Sequence, residues 1–479
     1  MTTEREYREW QRRNRKKLQA NRRKSSSSSI LLALIALLSV GFTIKSNPDW
    51  LSLFSLANNS LKSLTQEFVT EIDEPIVYSA NSNFENVNFQ RIDQIAQSIN
   101  YDGDSTTELA EILSVHANTD LEKARIIYSW ITHHIIYDLN ALDNLFQNDI
   151  YPDISSQNVL KNKATICSGY ANLYQQLAEK MGLKSVIILG YAKGVDYAVG
   201  NDNRVNHAWN GVKIDGNWYL MDPTWGAGIV NEGVFIAGFN PFYFATPPQE
   251  FIYSHFPENP HWQLLDVAYS RSQFDNLPEV SADLFKHEIK LISNRSKQIY
   301  VDHRLAVTLQ APSNIMAIAN INVEGKPIQG NYTLVQRQGE NIIVNATFPQ
   351  KGNYQLDIFA KPKNQNSNNL FPLIVSYDVS VNSSSQQMPK TFANFYENNA
   401  YLESPLQADL INGQNTYFRI KVDNATDVQI MDQVTNKWQK LDRYGSNIFA
   451  GNINAGSGNL TVFAKFDHGS RYWALLEYK

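Results

Sequence analysis

A chain of 479 residues with 43% hydrophobic and 12% aromatic side chains has apolar material for about three folded units, which excludes a disordered protein. Its net charge of −5 conceals an asymmetry: residues 1–24 hold ten Lys/Arg against three Glu, leaving −12 on the other 455. Basic charge confined to one terminal block on an acidic body does not fit a nucleic-acid-binding protein.

The basic tail, residues 1–29, leads into an uninterrupted apolar run, residues 30–44, closed by Lys45. As a helix, fifteen residues cover roughly 22 Å, short of the ~30 Å hydrocarbon core. The serines at 25–29 and a snorkelling Lys45 make up the difference. Residues 30–45 are therefore expected to be a single transmembrane anchor, with a cleaved signal as the alternative. The positive-inside rule then places the tail in the cytoplasm and everything beyond Lys45 outside the cell membrane. Residues 46–85 are polar without sustained periodicity and read as a stalk.

Residues 86–280 mix helical and strand-like pieces in the manner of an α+β domain. Thr119 and Glu122 have capping-box spacing, ahead of a stripe of Leu121, Ala124, Ile127, Tyr128, Ile131 and Ile135. From about 283 the texture changes to short alternating runs separated by turn residues, as in β-sandwiches. Two immunoglobulin-like modules are expected, 283–382 and 388–479, because GNYQLDIFAK at 352–361 and GNLTVFAK at 458–465 look like copies of one plan. NSSSQQ at 382–387 reads as the linker.

The chain has one cysteine, so no intramolecular disulfide is possible, and a lone buried cysteine is often inert. Cys167, however, precedes Tyr170, Leu173, Tyr174, Leu177 and Met181 at helical spacing, with Gly182 as a natural terminator. That puts its thiol at a helix start, where the dipole and unpaired N–H groups favour the thiolate and can serve as oxyanion donors. Farther on, Asp215-Gly216 lies between two alternating apolar runs, the strongest short hairpin signal. A two-residue loop pairs 214 with 217 and brings His207, Trp209, Asp222 and Thr224 to one face. His207 and Asp222 are then diagonal neighbours about 7–8 Å apart along the backbone. A carboxylate there can hold one imidazole nitrogen and leave the other for a thiol.

A helix-start Cys, a strand His and an Asp at the next strand, in that order, resemble the transglutaminase-like superfamily, which has a papain-like fold. The stretches ARIIYSWIT (124–132), ICSGYA (166–171), HAWN (207–210) and DPTW (222–225) are similar to its motifs. FIYSHFP (251–257) and WQLL (262–265) resemble the kyphoscoliosis-peptidase branch, in which β-rich repeats follow the core. One Cys, nine scattered His, no H-E-x-x-H and no dinucleotide fingerprint argue against a metal or cofactor, and the resemblance implies Cys167, His207 and Asp222 as catalytic triad. It also implies a protein or peptide substrate, possible cell-envelope polymers included. Thr165-Ile166 departs from the Gly-Val pair common before the cysteine. Trp130 and Gln157 both precede Cys167, but Trp130 lies on a predicted helix as a core residue and no signal singles out Gln157, so no side-chain oxyanion donor is assigned. Adjacent His133 and His134 point apart on a helix and make a poor metal pair. Trp209, Trp218 and Trp225 are expected to line the cleft or to pack in the core.

The expected reaction is thiol-dependent acyl transfer, most simply by a cysteine peptidase. Protein cross-linking is the first alternative, and a non-catalytic adhesion or scaffold protein that binds through the groove and β modules is the second.

Overall fold

The protein is described by a computed structural model. The chain divides into two units, Met1–Ser60 and Leu61–Lys479. The described residues are 62, 65, 84 and 87–479, apart from 149, 195–204, 232, 364–370, 457 and 467–470. The basic tail, the apolar run and most of the stalk fall outside them. Among the described residues no helix is long and apolar enough to cross a membrane.

The first core begins with α1 (Gln90–Ser98), α2 (Thr106–Ser114) and α3 (Asp120–His134). The cap of α3 is a variant of the expected box. Thr119 accepts from Glu122 N at 3.1 Å, but the Glu122 carboxylate turns back to Asn118 N at 2.8 Å. The stripe of α3 is broader than a surface helix needs, since residues 124–132 are all buried. Within it Arg125 forms a bidentate pair with Asp93, both contacts at 2.8 Å, and its guanidinium lies 4.6 Å from the centre of the Phe89 ring.

A short parallel pair, β1 (Ile136–Tyr137) with β2 (Ala164–Thr165), brackets α4 (Leu139–Asn148) and α5 (Ser156–Asn162). The long helix α6 (Cys167–Lys180) follows at once, then β3 (Lys184–Ala192), β4 (His207–Ile214) and β5 (Asn217–Met221). The β4–β5 hairpin has the expected register, Ile214 opposite Asn217, with Asp215 and Gly216 both at positive φ. After β5 come a short helix α7 (Pro223–Ala227), the hairpin β6 (Gly228–Asn231) and β7 (Val234–Ala237), β8 (Phe244–Thr246), α8 (Pro248–Phe251) and β9 (His255–Pro257). The main sheet has the order β8-β5-β4-β3-β9.

Beyond it lie two sandwiches of one design. In the first, a sheet runs Glu279–Val280, Leu373–Val381, Gly352–Pro362, Ile315–Val323, Lys326–Pro327, facing a second sheet of Lys290–Leu291, Arg304–Gln310, Asn341–Thr347 and Thr333–Gln338. In the second, Lys390–Thr391, Tyr472–Tyr478, Leu460–Phe466, Ala425–Asp432 and Trp438–Lys440 face Tyr401–Ser404, Asn415–Lys421, Ile448–Asn454 and Asp442–Tyr444. The two look-alike segments thus occupy the same middle strand of the same five-strand arrangement. Among the described residues the first adds the strand Gln298–Val301, parallel to Leu373–Val381. Each sandwich has its own apolar core, with Leu334 of the first packed into that of the second. The segment 382–387 is no free tether: Ser385 N donates to Phe348 O, and Ser385 Oγ to His303 O.

Candidate active site

Cys167 is the first residue of α6, and Ile166 before it offers no side-chain cap. Gly169 N and Tyr170 N both turn to Ile166 O, at 2.9 and 3.2 Å. The first turn of α6 lies hard against β2: a Cβ on Gly169 would stand 1.9 Å from Thr165 Oγ1, so only glycine fits. Side chains buried in the core then moor the helix. Tyr170 Oη donates to Ile135 O at 2.7 Å, Asn172 Nδ2 to Ile154 O at 3.0 Å, and Asn210 Nδ2, on β4, to Ala171 O at 3.0 Å. The thiol is thereby fixed relative to the sheet. It is 1% exposed, within an apolar cluster that includes Leu145, Ile154, Ile187 and Ala208.

His207 opens β4 opposite Gly190 of β3. Its position is set one residue earlier, where the Asn206 side chain exchanges two hydrogen bonds with the Ala192 backbone, at 2.8 and 3.0 Å. Gly190 is needed there: a Cβ would meet Phe256 O at 2.3 Å and the Trp209 ring at 2.5 Å. Asp222 follows β5 directly and is the N-cap of α7. Its Oδ1 accepts from Thr224 N at 2.8 Å and Trp225 N at 3.1 Å. Its Oδ2 accepts from His207 Nε2 at 2.7 Å. With Nε2 so engaged, Nδ1 is the ring nitrogen left for Cys167, which lies near enough to favour the protonated ring.

The electrostatics follow from this enclosure. Burial works to lower the His207 pKa, but the Asp222 carboxylate and the neighbouring Cys167 outweigh it and lift it to about 10. Burial likewise works against the Asp222 anion, yet the His207 charge and two imidazole hydrogen bonds hold it below the usual carboxylate range. An imidazolium beside a carboxylate, with a thiol on its other nitrogen, can carry a thiolate as its counter-ion.

The structure brings Cys167, His207 and Asp222 together, and it adds a residue that the sequence reading passed over. His255 Nε2 lies 3.0 Å from the same Asp222 Oδ2, with its side chain fully buried. The contact joins β9 at one edge of the sheet to the end of β5, so the sheet curls around the site. Among the described residues, His207, Asp222 and His255 are also the group that could hold a metal ion, with ligand atoms within 4.8 Å of one another. The two N–H···O bonds account for their spacing without one.

The tryptophans divide. Trp209 and Trp225 flank His207, at 6.0 and 5.9 Å between ring centres. Trp218 packs edge-on to Trp262 at 5.0 Å in the main core, not in a cleft. Trp130 is no oxyanion donor, since its Nε1 donates to Ile99 O at 3.0 Å, and Gln157 is exposed on α5.

Residues 107–223 match the family model of the transglutaminase-like superfamily, and residues 271–392 that of the KY-like, immunoglobulin-like domain. Residues 107–223 are thus a transglutaminase-like domain, and the pair of matches is that of the kyphoscoliosis-peptidase branch. The mouse (Mus musculus) kyphoscoliosis peptidase is 31% identical over 301 residues, 61% of this chain and 43% of that protein. The Lim and transglutaminase domain protein ltd-1 of Caenorhabditis elegans is 32% identical over 239 residues, 46% of this chain and 32% of the relative. Hillarin of Drosophila melanogaster is 31% identical over 217 residues, 42% of this chain and 26% of the relative. The chain spans less than half the length of these curated relatives. The transglutaminase-like match ends one residue after Asp222, so it takes in Cys167 and His207 but not His255.

Proposed function

We propose that this chain performs thiol-dependent acyl transfer on protein or peptide amides, as a cysteine peptidase. The observation that carries the reading is the pairing of His207 Nε2 with Asp222 at 2.7 Å, which leaves Nδ1 for Cys167. The Cys167 sulfur attacks the amide carbonyl and forms a thioester, the His207 imidazolium gives its proton to the leaving amine, and water, deprotonated by the now neutral His207, releases the acid. Asp222 fixes the ring and balances its charge. In this reading the oxyanion is received by N–H groups at the start of α6 that Ile166 O does not engage. If an amine takes the place of water, the same site cross-links proteins. The name kyphoscoliosis peptidase supports hydrolysis.

One observation favours a binding role instead: the thiol is 1% exposed, so a substrate reaches it only if neighbouring segments part. Alkylation of Cys167 by iodoacetamide at pH 6 separates the two. The enzyme reading expects a rate well above that of free cysteine, and a marked loss in His207→Asn. A thiol that stays unmodified in folded protein would sink it and leave a papain-like scaffold. The proposed setting is a single-pass cell-membrane protein with its body outside the cytoplasm, which rests on residues 1–45 alone. Added protease should reach the body of intact cells once any outer envelope is opened; a wholly protected body contradicts the topology.

A further inference from the structure

Asp222 Oδ2 meets two imidazoles, and the reaction proposed above uses one. The other, His255, has its Nε2 3.0 Å from Oδ2 and its Nδ1 2.8 Å from Ser254 Oγ. Its ring is stacked on Phe251 at 4.0 Å, with Trp225 at 4.6 Å and Trp209 edge-on at 5.2 Å. A neutral imidazole has one N–H and one acceptor nitrogen, while a carboxylate can only accept. The proton therefore belongs on Nε2, which leaves Nδ1 to accept from the Ser254 hydroxyl, whose other acceptor, Phe251 O, is farther off at 3.4 Å.

The geometry points to His255 as a positioning residue, whose Nε2–H locks the Asp222 carboxylate in the orientation that aims His207 at Cys167. The inference rests on the acyl-transfer reading of the site. With His255 in place all four acceptor positions of Asp222 are filled: Thr224 N and Trp225 N on Oδ1, His207 and His255 on Oδ2. A carboxylate so engaged cannot turn without breaking several bonds, and it has little reason to take the proton of His207. The titratable groups facing His255 are Asp222, His207 at 5.5 Å between ring centres and Tyr243 at 6.1 Å. Burial lowers its pKa to about 4 against the pull of Asp222, and the His207 charge pushes the same way. His255 is thus a constant neutral donor wherever the Cys167–His207 pair is active.

The test is the pH–rate profile of Cys167 alkylation in the full chain, with His207→Asn as the reference for a disabled pair. His255→Phe keeps an aromatic ring and removes the donor; His255→Gln restores an N–H. The expected result is a loss of about tenfold at pH 6 in His255→Phe, the effect of a displacement of one pH unit. His255→Gln should stay near wild type, and His255→Phe should add nothing in an Asp222→Asn background. A merely structural role would move the melting temperature and leave the profile in place. A His255→Phe profile that superimposes on wild type while His207→Asn is slow overturns this inference alone. A wild type as slow as His207→Asn overturns the acyl-transfer reading, and this inference with it. Should His255→Phe not fold, imidazole ¹⁵N NMR of the wild type decides. An Nε2–H tautomer that does not titrate between pH 5 and 8 is expected, and an Nδ1–H tautomer or a titration in that range overturns it.

Discussion

The transglutaminase-like core and the two sandwiches bury polar groups differently. In the sandwiches the interior strands alternate, and the apolar side chains make the core, as along Arg304–Gln310. Polar groups buried there pair with other side chains, as Asn322 and Ser376 do on Asp357, or serve the backbone. Gln336 of the first sandwich, for example, bonds Leu402 O and Leu402 N of the second at 3.2 and 2.6 Å, joining the modules. The core instead buries Arg125, His207, Asp222 and His255 at 5% exposure or less. Taking such groups out of water costs several kcal/mol each unless they are paired, and apolar residues of similar shape would usually serve stability as well. Two histidines on one carboxylate therefore indicate a demand other than stability, and the described residues of the sandwiches do not repeat that arrangement.

The contrast is sharpest in substitutions that separate activity from stability. His207→Asn should lower amide-cleaving activity about a thousandfold or more while the protein stays folded, since Asn keeps a polar group facing Asp222. A variant that retains activity would break the comparison outright. In the first sandwich Leu356, fully buried, should behave in the opposite way. Leu356→Ala should cost roughly 2–5 kcal/mol of stability in chemical denaturation, with activity per folded molecule unchanged. If activity fell in proportion, the sandwich would be part of the catalytic machinery.

What could be read from the sequence follows the same division. The β4–β5 hairpin was legible because Asp-Gly sets its register locally, and with it the nearness of His207 and Asp222. The start of α6 was legible from its apolar spacing and Gly182. The repeat of the sandwiches showed in two short segments that occupy one strand position. His255 was not legible as part of the site. It comes 33 residues after Asp222 and reaches it only because the sheet curls, a tertiary effect with no local signature. Its available signals were a histidine inside a strongly apolar stretch, residues 251–257, and the likeness of that stretch to the kyphoscoliosis-peptidase branch, neither of which ties it to Asp222. The fate of Trp218 depended in the same way on a distant partner, Trp262.

Acid titration of stability sharpens the comparison further. Between pH 6.5 and about 4 the unfolded chain takes up a proton at His255 that the folded chain refuses, so the folded state loses stability as pH falls. His134, lowered by burial, acts with the same sign. His207 adds no slope in this window, because below pH 6.5 it is protonated in both states; its stabilisation is lost as pH rises toward about 10. The Asp222 contribution is complete above pH 3.8 and is lost only below that. For His255 the loss is on the order of 3 kcal/mol at most. His255→Phe should flatten the fall of melting temperature from pH 6.5 to 4; an unchanged slope would mean that His255 is not held neutral.

The smallest effect comes from two pairs of the same chemical kind. Arg125 meets Asp93 through two bonds, with the Arg side chain 3% exposed and ringed by Phe89, Tyr128, Phe239 and Phe244. Arg419 meets Glu403 through one contact of 2.6 Å, with the two side chains 33% and 40% exposed. In water the exposed charges gain little by meeting, and holding two long side chains in one geometry costs entropy. Arg419→Leu should accordingly leave the melting temperature of the second sandwich where it is, at low and high salt alike. A clear loss, present only at low salt, would show that the sandwich does rely on charge, and the division between the two regions would then be one of degree.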